Sequence, residues 1–208
     1  TIAAIKTAFP SKRLGVIWVD AHADLHSPYT SPSGNAHGMP LASALGVDNE
    51  EMRRNDIRPE TTDAWDEIKA LGGIQPKILA EDIVFIGLRD FEREEAHLIE
   101  KNNIKVIPTE ALRGMGAENA AKKALEDLAD CDIIHVSFDV DSMDPSISFG
   151  TGTPVPGGLS VKEATTLLRC LIADSKCCSL EVTEISPLLD DKNNMAEVVL
   201  EYWRIYSL

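Results

Sequence analysis

Apolar residues along the chain fall into short, nearly unbroken runs separated by amphipathic stretches. The runs are Gly-Val-Ile-Trp-Val at 15–19, Ile-Val-Phe-Ile at 83–86, Lys-Val-Ile at 105–107, Ile-Ile-His-Val-Ser-Phe at 133–138, and 179–185. Continuous runs of this kind mark strands covered on both faces, whereas half-exposed strands alternate. Between the runs, apolar residues recur at helical spacing. Ala117, Ala120, Ala121, Ala124, Leu125 and Leu128 share one face, as do Ala164, Leu167, Leu168, Leu171 and Ile172. Met195, Val198, Val199, Tyr202 and Trp203 repeat the pattern near the end. Ser160 and Glu163 form a capping box that opens the second of these helices. Strands alternating with helices predict an α/β fold with a parallel sheet and helices on both sides. Segments 27–40 and 142–158, rich in Ser, Pro and Gly, read as loops. Residues 2–9 read as the inside of a helix, so 1–208 is expected to be one domain lacking its N-terminal portion.

Composition narrows the functions. The 208 residues carry 20 basic and 34 acidic side chains, a net charge of −14, which argues against nucleic acid, because phosphate contacts need clustered Lys and Arg. It does not suit an anionic membrane surface, and no apolar run nears the roughly 20 residues that span a bilayer. A negative field suits a cationic substrate or metal ions. Cys131, Cys170, Cys177 and Cys178 form no metal-binding spacing, and free thiols in a reducing cytoplasm are the simplest account.

Candidate chemistry follows the strands. Asp20, His22 and Asp24 come after the first run, Arg89, Asp90 and Glu92 after the second, and Asp139 and Asp141 after the fourth; Glu184 stands near the end of the last. Parallel sheets bind ligands at the carboxyl ends of their strands, so four strands deliver acids to one edge. On extended backbone, residues two apart point the same way, which would aim Asp20, His22 and Asp24 at one point and Asp139 and Asp141 at the same point. Four carboxylates and an imidazole in one pocket require cations to neutralise them. Mostly oxygen donors suit a pair of divalent ions better than one structural zinc, and such a pair lowers the pKa of a bound water to near neutrality.

Several segments together resemble the ureohydrolases: Val-Ile-Trp-Val-Asp-Ala-His-Ala-Asp at 16–24, Ser-Pro-Ser-Gly-Asn-Ala-His-Gly-Met-Pro at 31–40, Ser-Phe-Asp-Val-Asp at 137–141 with Asp144-Pro145, Gly-Thr-Gly-Thr-Pro-Val at 150–155 and Glu-Ile-Ser-Pro at 184–187. The Ser-Gly-Asn-x-His-Gly segment is similar to arginases rather than agmatinases. The resemblance covers essentially the whole chain and corresponds to the C-terminal two-thirds of an arginase. It implies a three-layer α/β/α sandwich of the arginase/deacetylase type, and manganese-dependent hydrolysis of L-arginine to L-ornithine and urea in a cytoplasmic trimer or hexamer. It implies two Mn2+ per subunit, with Asp20 and Asp139 bridging them, Asp24 on one ion, and His22 and Asp141 on the other. Asp24 would also pass a proton to the leaving amine. His37 would shuttle protons at the mouth, Glu184 would pair with the guanidinium, and Thr153 would line the same pocket. Ser33 and Asn35 would lie in the loop that reads the α-carboxylate.

The chain departs from the family pattern in three places. The family's first metal-ligand histidine, in a Gly-Gly-Asp-His segment before the opening helix, has no counterpart here. His26 stands where arginases have an asparagine touching the substrate carboxylate, and Glu92 where they have an aspartate for the α-amino group. These leave open another ureohydrolase, acting on agmatine, guanidinobutyrate or formiminoglutamate, or a metal-poor inactive homologue serving as an assembly subunit. Outside the site, His97 reads as helix surface, His135 as a packed and hydrogen-bonded strand residue, Arg89 and Asp90 as an ion pair, and Asp144 as turn chemistry.

Overall fold

The computed structural model describes residues 1–147, 149–190 and 192–206. Five parallel strands form the sheet: β1 (Leu14–Val19), β2 (Ile83–Ile86), β3 (Lys105–Ile107), β4 (Ile133–Asp139) and β5 (Cys177–Thr183), in the order β3-β2-β1-β4-β5. The first strand in sequence is therefore central, and its neighbours register Trp18 against Phe85 and Ser137. The helices are α1 (Ile2–Ala8), α2 (Pro40–Leu45), α3 (Pro59–Lys69), α4 (Arg93–Lys101), α5 (Thr109–Met115), α6 (Ala117–Asp127), α7 (Val161–Ile172) and α8 (Asn194–Tyr206).

Alternate strand residues face opposite layers, which makes the molecule a three-layer α/β/α sandwich. Ile17, Val19, Val84, Ile86, Val136 and Phe138 pack under Leu112 of α5, Ala121 and Ala124 of α6, Leu167, Leu168 and Leu171 of α7, and Val199 of α8. Val16, Trp18, Ile83 and Phe85 pack on the other side against Ile2 of α1, Leu41 and Ala44 of α2 and Leu98 of α4. The continuous apolar runs follow from this double covering. The expected faces of α6 and α7 are the buried ones, and the expected Met195 and Val199 are buried on α8, while the side chains of Tyr202 and Trp203 lie outside the described residues. At α7, Ser160 Oγ accepts the Glu163 N–H (3.2 Å) and Glu163 accepts the Ser160 N–H (2.8 Å), as the capping box requires.

Two expectations are corrected, and one helix went unread. The last strand begins two residues earlier than read and ends at Thr183, because Glu184 turns out of it with φ +59°. Helix α3 carries no apolar stripe strong enough to be read; its Trp65 closes a small separate cluster with Tyr29, Met39 and Ala42. Arg89 does not pair with Asp90; its guanidinium donates to backbone carbonyls instead, those of Asp141 and Val155 among them. The other background readings hold in position. His135 is fully buried between Ser179 (3.2 Å) and Glu181 (3.1 Å). His97 meets Glu51 at 2.8 Å on the surface of α4, and Asp144 accepts the N–H groups of Ser146 and Gly157. The four cysteines are free. No helix among the described residues is long and apolar enough to cross a membrane.

Candidate active site at the carboxyl edge of the sheet

A cleft of about 240 Å³ opens where β1, β4 and β5 end. Its lining holds every residue singled out by the sequence: Asp20, His22, Asp24, His26, Ser33, Asn35, His37, Glu92, Asp139, Asp141, Thr153 and Glu184. It also holds Ser31 and Glu95, to which the sequence reading gave no role, and Asp90, which it assigned to an ion pair with Arg89. Glu95 had a legible signal: with Glu92 it forms a capping box at the start of α4.

The carboxylates converge through turns rather than through extended backbone. After Val19 the chain bends, and the Asp20 carboxylate accepts the His22 N–H at 2.7 Å. Asp24 sits in the left-handed region, φ +53°. Asp139 ends β4, and Asp141 lies in a short 3-10 turn, Val140–Ser142, whose N–H at Asp141 bonds back to Asp139 at 2.8 Å. The side chains named by the alternation argument do line one cleft, but turns rather than extended backbone bring them there. These turns bring His22 Nδ1 to 3.1 Å from Asp141 and 3.5 Å from Asp20, with Asp90 3.8 Å from its Nε2. Thr153 donates to Asp141 at 3.2 Å, and Thr183 donates to Asp139 at 3.2 Å. Glu184 leans over the 150–156 loop; a Cβ built on Gly152 would lie 3.7 Å from its Oε2.

Electrostatics sets the floor of the cleft apart. Burial, reinforced by Asp20 and Asp141, pushes Asp139 up to about 10. Burial pushes Asp20 up to about 7 against the opposing pull of His22. Burial and the Asp20 charge hold Asp24 well above the carboxylate range. Burial would lower His22, but Asp141 and Asp20 raise it to about 11. Burial would raise Asp141, yet its bond from His22 keeps it low. One imidazolium cannot balance four buried carboxylates, so the floor takes up protons or cations. Asp20, His22 and Asp141 present ligand atoms within 4.8 Å of one another, a group that can hold a metal ion. Asp24 and Asp139 line the same floor outside that tight group.

A second cluster forms the outer wall. His26 is buried, with Nδ1 3.1 Å from Thr30 Oγ1 and Nε2 3.0 Å from Glu92 and 3.5 Å from Glu95. Glu95 accepts the N–H groups of Leu25 and Glu92, each at 3.0 Å. Burial, then Glu92, pushes Glu95 up to about 8. Across the opening, the 31–38 loop is held by Ser31 and Ser33 hydroxyls accepting the N–H groups of Gly34 and Asn35. His37 lies exposed in its 3-10 turn, Ala36–Gly38.

Comparison with known proteins follows the same outline. The arginase family model matches residues 1–205. The chain is 36% identical to the arginase of Bacillus subtilis (strain 168) over 195 residues, 94% of this chain and 60% of that protein. It superposes on the Bacillus caldovelox arginase with a TM-score of 0.83 at 35% identity, covering 98% of this chain and 62% of that one. With an Entamoeba histolytica arginase solved in complex with L-ornithine the TM-score is 0.81 at 31% identity, over 96% and 62% of the two chains. The chain therefore spans about 60% of the length of these relatives. With a match that runs from its first helix into its last, this chain belongs to the arginase family.

Proposed function

We propose that the cleft hydrolyses a guanidinium group with manganese bound, converting L-arginine to L-ornithine and urea. The observation that carries this reading is the convergence of Asp20, Asp24, Asp139, Asp141 and His22 on one floor, with more negative charge than the protein's own groups neutralise. The relatives support the substrate class, since they are arginases and one was solved with L-ornithine.

The donors fit the metal. Carboxylate oxygens with one imidazole suit Mn2+, and the raised carboxyl groups are what two divalent charges would return to the ionised form. Asp20, His22 and Asp141 would hold manganese, with the carboxylates of Asp24 and Asp139 on the same floor available to it. When bound, such ions supply Lewis-acid polarisation and lower the pKa of water.

The chain's own groups do the rest. Glu184, beside Gly152 and Thr153, accepts paired N–H bonds from the planar guanidinium and holds its carbon over the floor. Asp24 takes a proton from the attacking water and returns it to the leaving amine, and His37 at the mouth exchanges protons with solvent. Ser33 and Asn35 donate to the α-carboxylate, while Glu92 with His26 faces the α-amino end.

One observation favours a second reading. The His26 imidazole is spent on Thr30 and Glu92, which leaves the outer wall poor in free donors for a carboxylate. Agmatine or another guanidino compound without that carboxylate fits such a wall. The deciding experiment loads the purified chain with Mn2+ and measures bound metal and urea release from arginine and from agmatine. Bound manganese with urea release supports the reading, and faster turnover of agmatine moves the substrate to the second one. A chain that binds no manganese and releases no urea from either overturns both.

A further inference from the structure

Arg89 has no place in the chemistry above, yet its side chain runs beneath the cleft. Its guanidinium donates to the carbonyls of Asp141 (2.8 Å), Val155 (2.7 Å), Gly87 (3.0 Å) and Pro156 (3.2 Å), with weaker reach to Ser142 (3.4 Å) and Met143 (3.5 Å). Its backbone N–H, with that of Asp90, bonds to Ala21 O at 2.9 Å. One residue thus joins four segments: the bend after β1 that carries Asp20 and His22, the end of β2, the 3-10 turn that carries Asp141, and the loop that carries Thr153. The Asp141 turn and the loop that carries Thr153 lie outside the five strands.

We propose that Arg89 is the positioning residue of the cleft, holding the Asp141 turn and the 153–156 loop in the arrangement that receives metal and substrate. The chemistry favours arginine there. A guanidinium offers five N–H donors in a fixed plane, enough to satisfy carbonyls from three directions, whereas an ammonium is a point donor. The carbonyls of residues 141–143 leave the end of a helical turn, where a cation is favoured. The same fixed positive charge lies under Asp20 and Asp141 and offsets part of their mutual repulsion. The role rests on the reading that the floor holds manganese.

Arg113 supplies the comparison. It also donates to a loop carbonyl, Gly158 O at 2.6 Å, and meets Glu163 at 3.3 Å, but it touches none of the segments that line the floor. The experiment measures Mn2+ affinity by electron paramagnetic resonance of free Mn2+, with metal-free melting temperatures, for wild type, Arg89→Lys, Arg89→Gln and Arg113→Lys. Arg89→Lys keeps the charge and loses the fork; Arg89→Gln keeps planar donors and loses the charge. Both Arg89 variants should bind Mn2+ about 10–100-fold more weakly, the range found when outer supports of a metal site are removed. Arg113→Lys should bind as wild type does. Amide exchange in the metal-free protein should quicken at 141–143 and 153–157 in the Arg89 variants alone. If wild type binds manganese and Arg89→Lys matches it, the positioning role is wrong even if the variant melts earlier. If wild type binds no manganese, the proposed function fails and the role of Arg89 fails with it.

Discussion

Two histidine–carboxylate clusters stand side by side in one cleft and differ in how they are satisfied. In the inner one, His22 meets Asp20 and Asp141, while burial and like-charged neighbours push Asp24 and Asp139 well above the carboxylate range. In the outer one, His26 has a partner on each ring nitrogen, and Glu95 is bonded by two backbone N–H groups. The same residue types therefore make an unbalanced site and a closed network. An unbalanced buried site is suited to bind something charged, whereas a satisfied network holds shape. The inner cluster is read as the seat of chemistry, and the outer one as a wall that sets which molecules enter.

The largest effect that would break this contrast comes from the inner cluster. Asp139→Ala should abolish manganese binding and turnover together, since it removes a carboxylate that faces the whole floor. A variant retaining two manganese ions and near-normal urea release would show that Asp139 is not part of the metal site. Glu184→Gln keeps size and removes charge. Charge-assisted hydrogen bonds are worth about 1.5–3 kcal/mol, so kcat/KM should fall at least tenfold for arginine and agmatine alike, at unchanged metal content. A change confined to the ratio of the two substrates would mean that the substrate lies in the opposite direction.

The outer cluster should respond more mildly. His26→Asn frees Glu92 and should leave metal content alone while shifting the arginine-to-agmatine ratio roughly fivefold, the worth of one ordinary hydrogen bond. Equal loss of metal would merge the two clusters into one site. The smallest effect is in stability. Burial and then Glu92 raise the folded-state pKa of Glu95 from its ordinary 4.5 to about 8. The folded state holds that proton longer than the unfolded one, so its contribution is full below about pH 4.5 and is lost as pH rises toward 8. Comparison of wild type with Glu95→Gln isolates it. Metal-free melting temperatures should fall more steeply with pH in wild type, and parallel curves would remove the assignment.

The sequence made the sheet and the acids legible for one reason. Double covering forces unbroken apolar strands, and an acid directly after such a run stands out because nothing in the core needs it. The sheet-packing faces of α6, α7 and α8 were legible through their spacing; those of α2, α4 and α5 were not read, nor was α3, which buries little beyond Trp65 and Lys69. What stayed hidden was geometry set by tertiary context. Strand alternation was extended past Val19 and Phe138 into segments that turn. Arg89 beside Asp90 looked like an ion pair, although all but one of the carbonyls it serves come from residues 52 to 67 positions away, a distance that no local pattern spans. Glu95 showed its cap but not its partner Leu25, for the same reason.

Asp24 and Glu184 both hold left-handed backbone. That conformation costs an ordinary L-residue roughly 1–2 kcal/mol, while glycine adopts it freely and asparagine does so readily. The two positions therefore set heat resistance against function. A library screened only for surviving high temperature should drift toward glycine or asparagine at 24 and 184, and each step would take a carboxylate out of the cleft. The sequences that such a screen enriches would be the sturdier ones, with the chemistry erased from them.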